Sequence, residues 1–174
     1  MHLQQIKIEH KPTVSLMAIS IDNVHKIREW SRDPYYAEYF RRYAPEFTWG
    51  DDAAVAHMHS ASFFVRVEDE IVGMVGFANY DQHNKQIEYG ILMEKDCPNK
   101  VKVIFESGEL VKDYVFNYLN LEKIFIRVLT HRKEIKRILA LNGFKLDGLL
   151  RNNVYWNGKM HDEWLFTQLK GEWI

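Results

Sequence analysis

QIEYGILMEKDCPNKVKVIFESGELVKDYVFNYLNLEKIFIRVL, residues 86–129, reads as strand, helix and strand in succession. Its outer parts, 86–93 (QIEYGILM) and 123–129 (KIFIRVL), are short apolar runs of strand length. Between them Ile104, Gly108, Val111, Val115 and Tyr118 recur at alternating four- and three-residue steps, which predicts a helix over 100–119 with one face on a sheet. Gly108 lets that helix come close. A strand, a helix and a strand in this order form a right-handed crossover whose strands lie parallel. The helix then starts at the C-terminal end of the first strand, where unpaired N–H groups and the helix dipole favour an anion. The turn leading there holds no glycine, and Lys100 and Lys102 stand in the helix's first turn. Cations at that end oppose the dipole by roughly 0.3–1 kcal/mol each. Two readings remain open: solvated lysines at a helix end, or lysines that contact a bound phosphate as point charges.

Outward from this unit, 14–21 (VSLMAISI) reads as a strand, with Asp22 as N-cap of a helix over 23–31. Residues 33–59 suggest two short helices broken at Pro34 and Pro45, with aromatics clustered from Tyr35 to Trp49. Strands at 61–68 and 71–80, turning at Asp69-Glu70, join 86–93 in an antiparallel meander. A helix over 132–142 stops at Asn142-Gly143, and Asn157-Gly158 marks a type I′ hairpin between Tyr155-Trp156 and a strand at 163–169. The order β-α-α-β-β-β-α-β-α-β-β implies an α+β domain with a mixed sheet, expected as one domain over 1–174.

Twenty-three Lys and Arg balance 24 Asp and Glu, so no electrostatic footprint for nucleic acid or acidic lipid is expected. One cysteine, Cys97, allows no internal disulfide. There is no signal-peptide pattern and no apolar run near the ~18 residues of a membrane span. A cytoplasmic protein, monomer or homodimer, is the expectation. His57 and His59 lie two apart without a cysteine or acid pattern, so no metal site is expected.

"YVFNYLNLEKI" (114–124), "NGFKLDGLLRN" (142–152) and "NGKMHDEWLF" (157–166) resemble the GNAT acetyltransferase superfamily, in the branch that acetylates ribosomal-protein N-termini and related amines. "REWSRDP" (28–34), "VGMVGF" (72–77) and "IEYGI" (87–91) fit the same branch, and the likeness runs from Val14 to Trp173. It implies a mostly antiparallel sheet of about seven strands, splayed between the fourth and fifth and flanked by about four helices. It also implies acetyl-CoA as donor, with its pantetheine along Ile91, Leu92 and Met93. The pyrophosphate would sit on Lys100, Val101, Lys102 and Val103. In ungapped register Cys97 takes the place of the family's Gln or Arg, and Lys100 and Lys102 take those of its small residues. Arg132 and Ile135 stand where an asparagine reaches the cofactor and a serine follows one turn later. Leu139 replaces a tyrosine that protonates the leaving thiolate.

Amine acetylation needs a base for the ammonium and an N–H donor for the developing oxyanion. The resemblance places a glutamate at Glu88, which lies inside an otherwise apolar strand on one face with Gly90 and Leu92. Glu88 is therefore the candidate base, against the alternative of a solvent-facing acid, and the Leu92 N–H is the candidate donor. His83 and His131 read as ordinary loop residues. Asp162 reads as a hairpin brace, and Cys97 as a buried or half-buried thiol. Tyr36 and Tyr39 are the candidates for contact with the acceptor. The implied reaction is acetyl transfer to a primary amine by direct attack in a ternary complex. The acceptor would be a protein N-terminus or a small amine such as a nucleotide-linked amino sugar. The rival reading is a GNAT-fold binding or regulatory protein without that chemistry, and a third keeps transfer but with another acyl donor.

Overall fold

The computed structural model describes residues 14–20, 22–43 and 62–173. Strands β1 (Val14–Ala18), β2 (Ser62–Val67), β3 (Glu70–Asp81), β4 (Gln86–Met93), β5 (Lys123–Leu129), β6 (Lys145–Trp156) and β7 (Lys159–Leu169) form one sheet in the order β1-β2-β3-β4-β5-β7-β6. β1 to β4 pair antiparallel, β4 and β5 pair parallel, and β7 runs antiparallel to both of its neighbours. Four α-helices flank it among the described residues: α1 (His25–Ser31), α2 (Ala37–Tyr43), α3 (Lys100–Asp113) and α4 (Lys133–Leu141). A 3-10 turn, Pro34–Tyr36, leads into α2. None of these helices is long and apolar enough to cross a membrane.

Alternation along the strands divides the core into two layers. Phe64, Met74 and Leu92 point to α1 and α2, where they meet Ile27, Trp30, Tyr36, Tyr39 and Phe40. Val65, Val75, Tyr89 and Met93 point the other way, to Val103, Val111, Val115 and Phe116. Full burial of side chains such as Phe64 and Phe116 contributes roughly 1.5–3 kcal/mol each.

Several expectations shift. Asp22 is not the N-cap of α1; Val24 holds that place after a turn, and the Asn23 side chain accepts from the Ser20 N–H at 2.7 Å. Of the two helices read over 33–59, the 3-10 turn and α2 are described, and residues 44–59 lie outside the described residues, as do His57 and His59. The β2–β3 turn falls at Glu68-Asp69, with Glu68 at φ 54°. The helix read to 119 is α-helical to Asp113 and then widens into a π-helical turn, Tyr114–Tyr118, closed by the Leu119 N–H on the Tyr114 carbonyl at 2.9 Å. β6 is longer than the sequence suggests, because register shifts at 146/148 and 150/154 break its alternation. Asn157 and Gly158 both take positive φ, 49° and 81°, as a type I′ turn requires.

Candidate active site

The parallel pairing of β4 with β5 lasts three residues, Gln86 with Lys123, Ile87 with Ile124 and Glu88 with Phe125, and then the strands part. A cavity of about 210 Å³ opens in the gap. Tyr36, Glu38, Tyr39 and Arg42 line it from the α1–α2 face of the sheet, and Ile104, Gly108, Ile135 and Leu139 line it from the α3–α4 face. It therefore runs through the sheet. Tyr89 to Met93 form one edge and Ile126 to Val128 the other.

The β3–β4 register decides which backbone groups serve that gap. The Glu94 N–H donates to the Val72 carbonyl at 2.8 Å, so with period two the Leu92 N–H also faces β3. A Cβ built on Gly73 would run into the Leu92 carbonyl oxygen, which confirms the direction of that residue's backbone. The Leu92 N–H, the expected oxyanion donor, thus points to β3 rather than into the gap. Ile91 and Met93 present their N–H and C=O groups to the gap instead.

At the head of α3, Asn99 is left-handed (φ 51°, ψ 36°) and its side chain caps nothing. The Val103 N–H closes the first turn on the Asn99 carbonyl at 3.1 Å, and the Val103 side chain is 3 % exposed in the core. Val103 is therefore unavailable to a phosphate, whereas the N–H groups of Lys100, Val101 and Lys102 precede the first intrahelical bond. The two lysines separate as well. Lys100 lines the cavity, with Nζ on the Lys95 carbonyl at 2.8 Å. Lys102 turns to Glu106, 3.7 Å away.

Side chains hold this glycine-free turn. The Lys95 N–H donates to the Tyr36 hydroxyl at 3.1 Å, Lys95 Nζ reaches Asp33 at 2.5 Å, and Lys26 bonds Glu94 at 2.9 Å. The Lys95 ammonium also sits 5.1 and 5.8 Å from the ring centroids of Tyr35 and Tyr36. The hydrogen bond to Asp33 holds the Lys95 pKa above its usual value, and that same bond holds Asp33 below its own. Tyr36 lines the cavity but anchors the turn, and Tyr39 lines the cavity beside it.

Glu88 is completely buried and does not line the cavity. Arg127 forks onto its two oxygens, Nε to Oε1 at 3.1 Å and Nη2 to Oε2 at 2.6 Å, while Asn79 donates to Oε2 at 2.6 Å. Arg42 lies 3.4 Å away and ties Glu88 to the equally buried Glu163, which also accepts from Asn153 at 2.7 Å. By alternation Glu88 shares the α1–α2 face with Leu92, and its oxygens are engaged there by Arg127, Asn79 and Arg42. It positions Arg127 and Arg42, which do line the gap. The sequence signal for this cluster was Arg127 in the middle of apolar β5, the counterpart of Glu88 in apolar β4.

Arg132, at the N-cap of α4, donates through Nε and Nη2 to Glu38 Oε2 at 3.2 and 3.0 Å. Leu139 lies in the cavity wall, where a tyrosine would have offered a hydroxyl. Asp162 accepts from the Asn152 N–H at 2.8 Å and braces the β6–β7 hairpin. His131 and His161 stack edge to face, 6.2 Å apart, and among the described residues no cluster of three His, Cys, Asp or Glu could hold a metal. Cys97 is 8 % exposed, and burial pushes its thiol above the ordinary range despite Lys100 nearby. It is expected to react with iodoacetamide more slowly than a free thiol at pH 8, with the rate still rising as pH increases further; labelling at the free-thiol rate would contradict this environment.

The gap, the uncapped first turn of α3 and the cations Lys100 and Arg132 on either side suit a ligand with an extended chain and phosphates. The family model for the acetyltransferase (GNAT) domain matches residues 2–145. The chain is 23% identical over 176 residues to the putative ribosomal N-acetyltransferase YdaF of Bacillus subtilis (strain 168), covering 99% of this chain and 93% of that one. It is 25% identical over 141 residues to spermidine N(1)-acetyltransferase of Escherichia coli (strain K12), covering 79% and 70%. The solved spermidine N-acetyltransferase from Vibrio cholerae in complex with CoA and spermine superposes with a TM-score of 0.76 at 20% identity, over 91% of this chain and 96% of that one.

Proposed function

The chain belongs to the acetyltransferase (GNAT) family, and from that membership we propose that it acetylates a primary amine by direct attack with donor and acceptor bound together. The observation that carries this reading is the cavity that pierces the sheet where β4 and β5 part, lined from both faces. One ligand can enter from each face and meet the other in the gap. Acetyl-CoA, when bound, supplies the activated acetyl thioester. Ile91 and Met93 offer backbone N–H groups along the gap, the kind of fixed donor that stabilises charge developing on a carbonyl oxygen. The free N–H groups at the start of α3 and the Lys100 ammonium would hold phosphate. Tyr36, Tyr39 and Tyr35 wall the acceptor side with aromatic surface that suits an aliphatic amine or a peptide N-terminus.

Calorimetry with acetyl-CoA and desulfo-CoA, followed by an amine screen including spermidine and an N-terminal peptide, tests the proposal. No binding of either cofactor at millimolar concentration would sink it. The two lysines give a sharper test. Lys100→Glu is expected to weaken desulfo-CoA about tenfold or more, since a charge-assisted hydrogen bond contributes about 1.5–3 kcal/mol. Lys102→Glu is expected to change little, because that ammonium pairs with Glu106. Equal losses from both would show that the first turn acts only through net charge.

A further inference from the structure

We propose that Glu38 is the group that receives the acceptor's ammonium, and that Arg132 withholds it until a phosphate of the acyl donor takes the arginine over. This rests on the reading above that donor and acceptor meet in the gap. Among the described residues lining the cavity, Glu38 is the one carboxylate, against the cations Arg42, Lys100, Arg127 and Arg132. Arg42 and Arg127 are committed to the buried acids Glu163 and Glu88. An ammonium entering from the α1–α2 face therefore meets a cationic cavity whose compensating charge is Glu38.

That carboxylate is already engaged. Arg132 Nε and Nη2 converge on the single oxygen Oε2, so the pair lacks the parallel fork that Arg127 makes with Glu88, and Arg132 Nη1 lies 3.8 Å from Glu134, a second, more exposed acid. The Arg132 and Glu38 side chains are 35 % and 24 % exposed, and a partly exposed pair of this kind exchanges at small cost. The bridge joins α2 on one face to the start of α4 on the other, across the gap the donor must enter. A phosphate is a stronger partner for a guanidinium than half of a carboxylate. Once Arg132 turns to it, Glu38 is left facing the cavity without its hydrogen-bonded partner, with Arg41 as its remaining cationic neighbour. Donor binding thus creates the acceptor's site, and by reciprocity an ammonium on Glu38 frees Arg132 for the donor.

The test is calorimetry of the full chain with desulfo-CoA, with pantetheine, which has no phosphate, and with spermidine as the probe amine. Glu38→Gln is expected to bind desulfo-CoA about fivefold more tightly than wild type, because Arg132 is released in advance, while its spermidine affinity falls by about the same factor or more. Pantetheine affinity should not respond to Glu38→Gln. Arg132→Gln is expected to weaken desulfo-CoA and to bind spermidine without needing the donor. In wild type, saturating desulfo-CoA should tighten spermidine about fivefold, a coupling lost in both variants. Unchanged or weaker desulfo-CoA binding in Glu38→Gln, with wild-type binding intact, overturns the exchange and leaves the proposed function standing. Absence of desulfo-CoA binding by wild type overturns both.

Discussion

Glu88→Leu is expected to destabilise the protein by about 3–5 kcal/mol, the usual cost of removing one partner of a buried ion pair. The carboxylate has no exposed surface and takes donors from Arg127 and Asn79, with Arg42 at 3.4 Å. Leucine fills much of its volume but leaves the Arg127 guanidinium beside an apolar wall, and the Arg42 side chain is only 10 % exposed. The loss arises from stranded charge more than from lost attraction, so it is largely reversible by design. Glu88→Leu with Arg127→Met should recover most of the stability, since a well-packed apolar replacement of a buried pair is often neutral. Urea unfolding midpoints of the two variants decide the matter; a single variant within about 1 kcal/mol of wild type would mean that Glu88 is not the keystone of this cluster. Glu88→Gln separates the structural role from general base catalysis. A positioning residue lowers stability and rate without reshaping the pH–rate profile, whereas loss of a base would depress the rate chiefly below the amine's own pKa.

Gly73→Val is expected to cost roughly 1–3 kcal/mol and to weaken donor binding as well, because overpacking here displaces backbone rather than a side-chain tip. Gly73 sits where the β2–β3 register slips by one residue, opposite Met93 on β4. A Cβ there would strike the Leu92 carbonyl oxygen and lie 2.8 Å from Met93 Sδ and 3.2 Å from Met93 Cα. Leu92 and Met93 form the edge of the gap, so any relief of the clash moves the groups proposed to serve the donor. Paired measurements of the unfolding midpoint and desulfo-CoA affinity should both fall. A stable Gly73→Val variant with wild-type affinity would show that the edge of β4 yields without consequence.

The architecture was legible because its signals are local and periodic. The apolar runs at 86–93 and 123–129 and the helical spacing from Ile104 to Tyr118 specify a strand, a helix and a parallel strand, and the structure has them. The place of the candidate site follows from the same signals, since a crossover puts the helix start at the end of β4. Roles within the site were less legible. Glu88 stood out as an acid in an apolar strand, yet that anomaly is equally consistent with a base and with a buried counter-ion. The Lys100 and Lys102 ammonium groups looked alike in sequence and differ in the fold, one on the Lys95 carbonyl and one on Glu106.

Periodicity along the chain states which face of an element is apolar, and through it the sequence by itself determined the element order and the parallel pair that frames the gap, whereas the division of the core into two layers came from the structure. Periodicity carries no information on which charges meet between elements. Arg127 and Glu88 are 39 residues apart, Arg132 and Glu38 are 94, and Arg42 and Glu163 are 121. Those pairings, and the edge toward which each β4 N–H points, depend on which strand lies on either side and in what register. Only the tertiary structure decided them, and with them the assignment of Glu88 to the protein's interior and of Glu38 to its cavity.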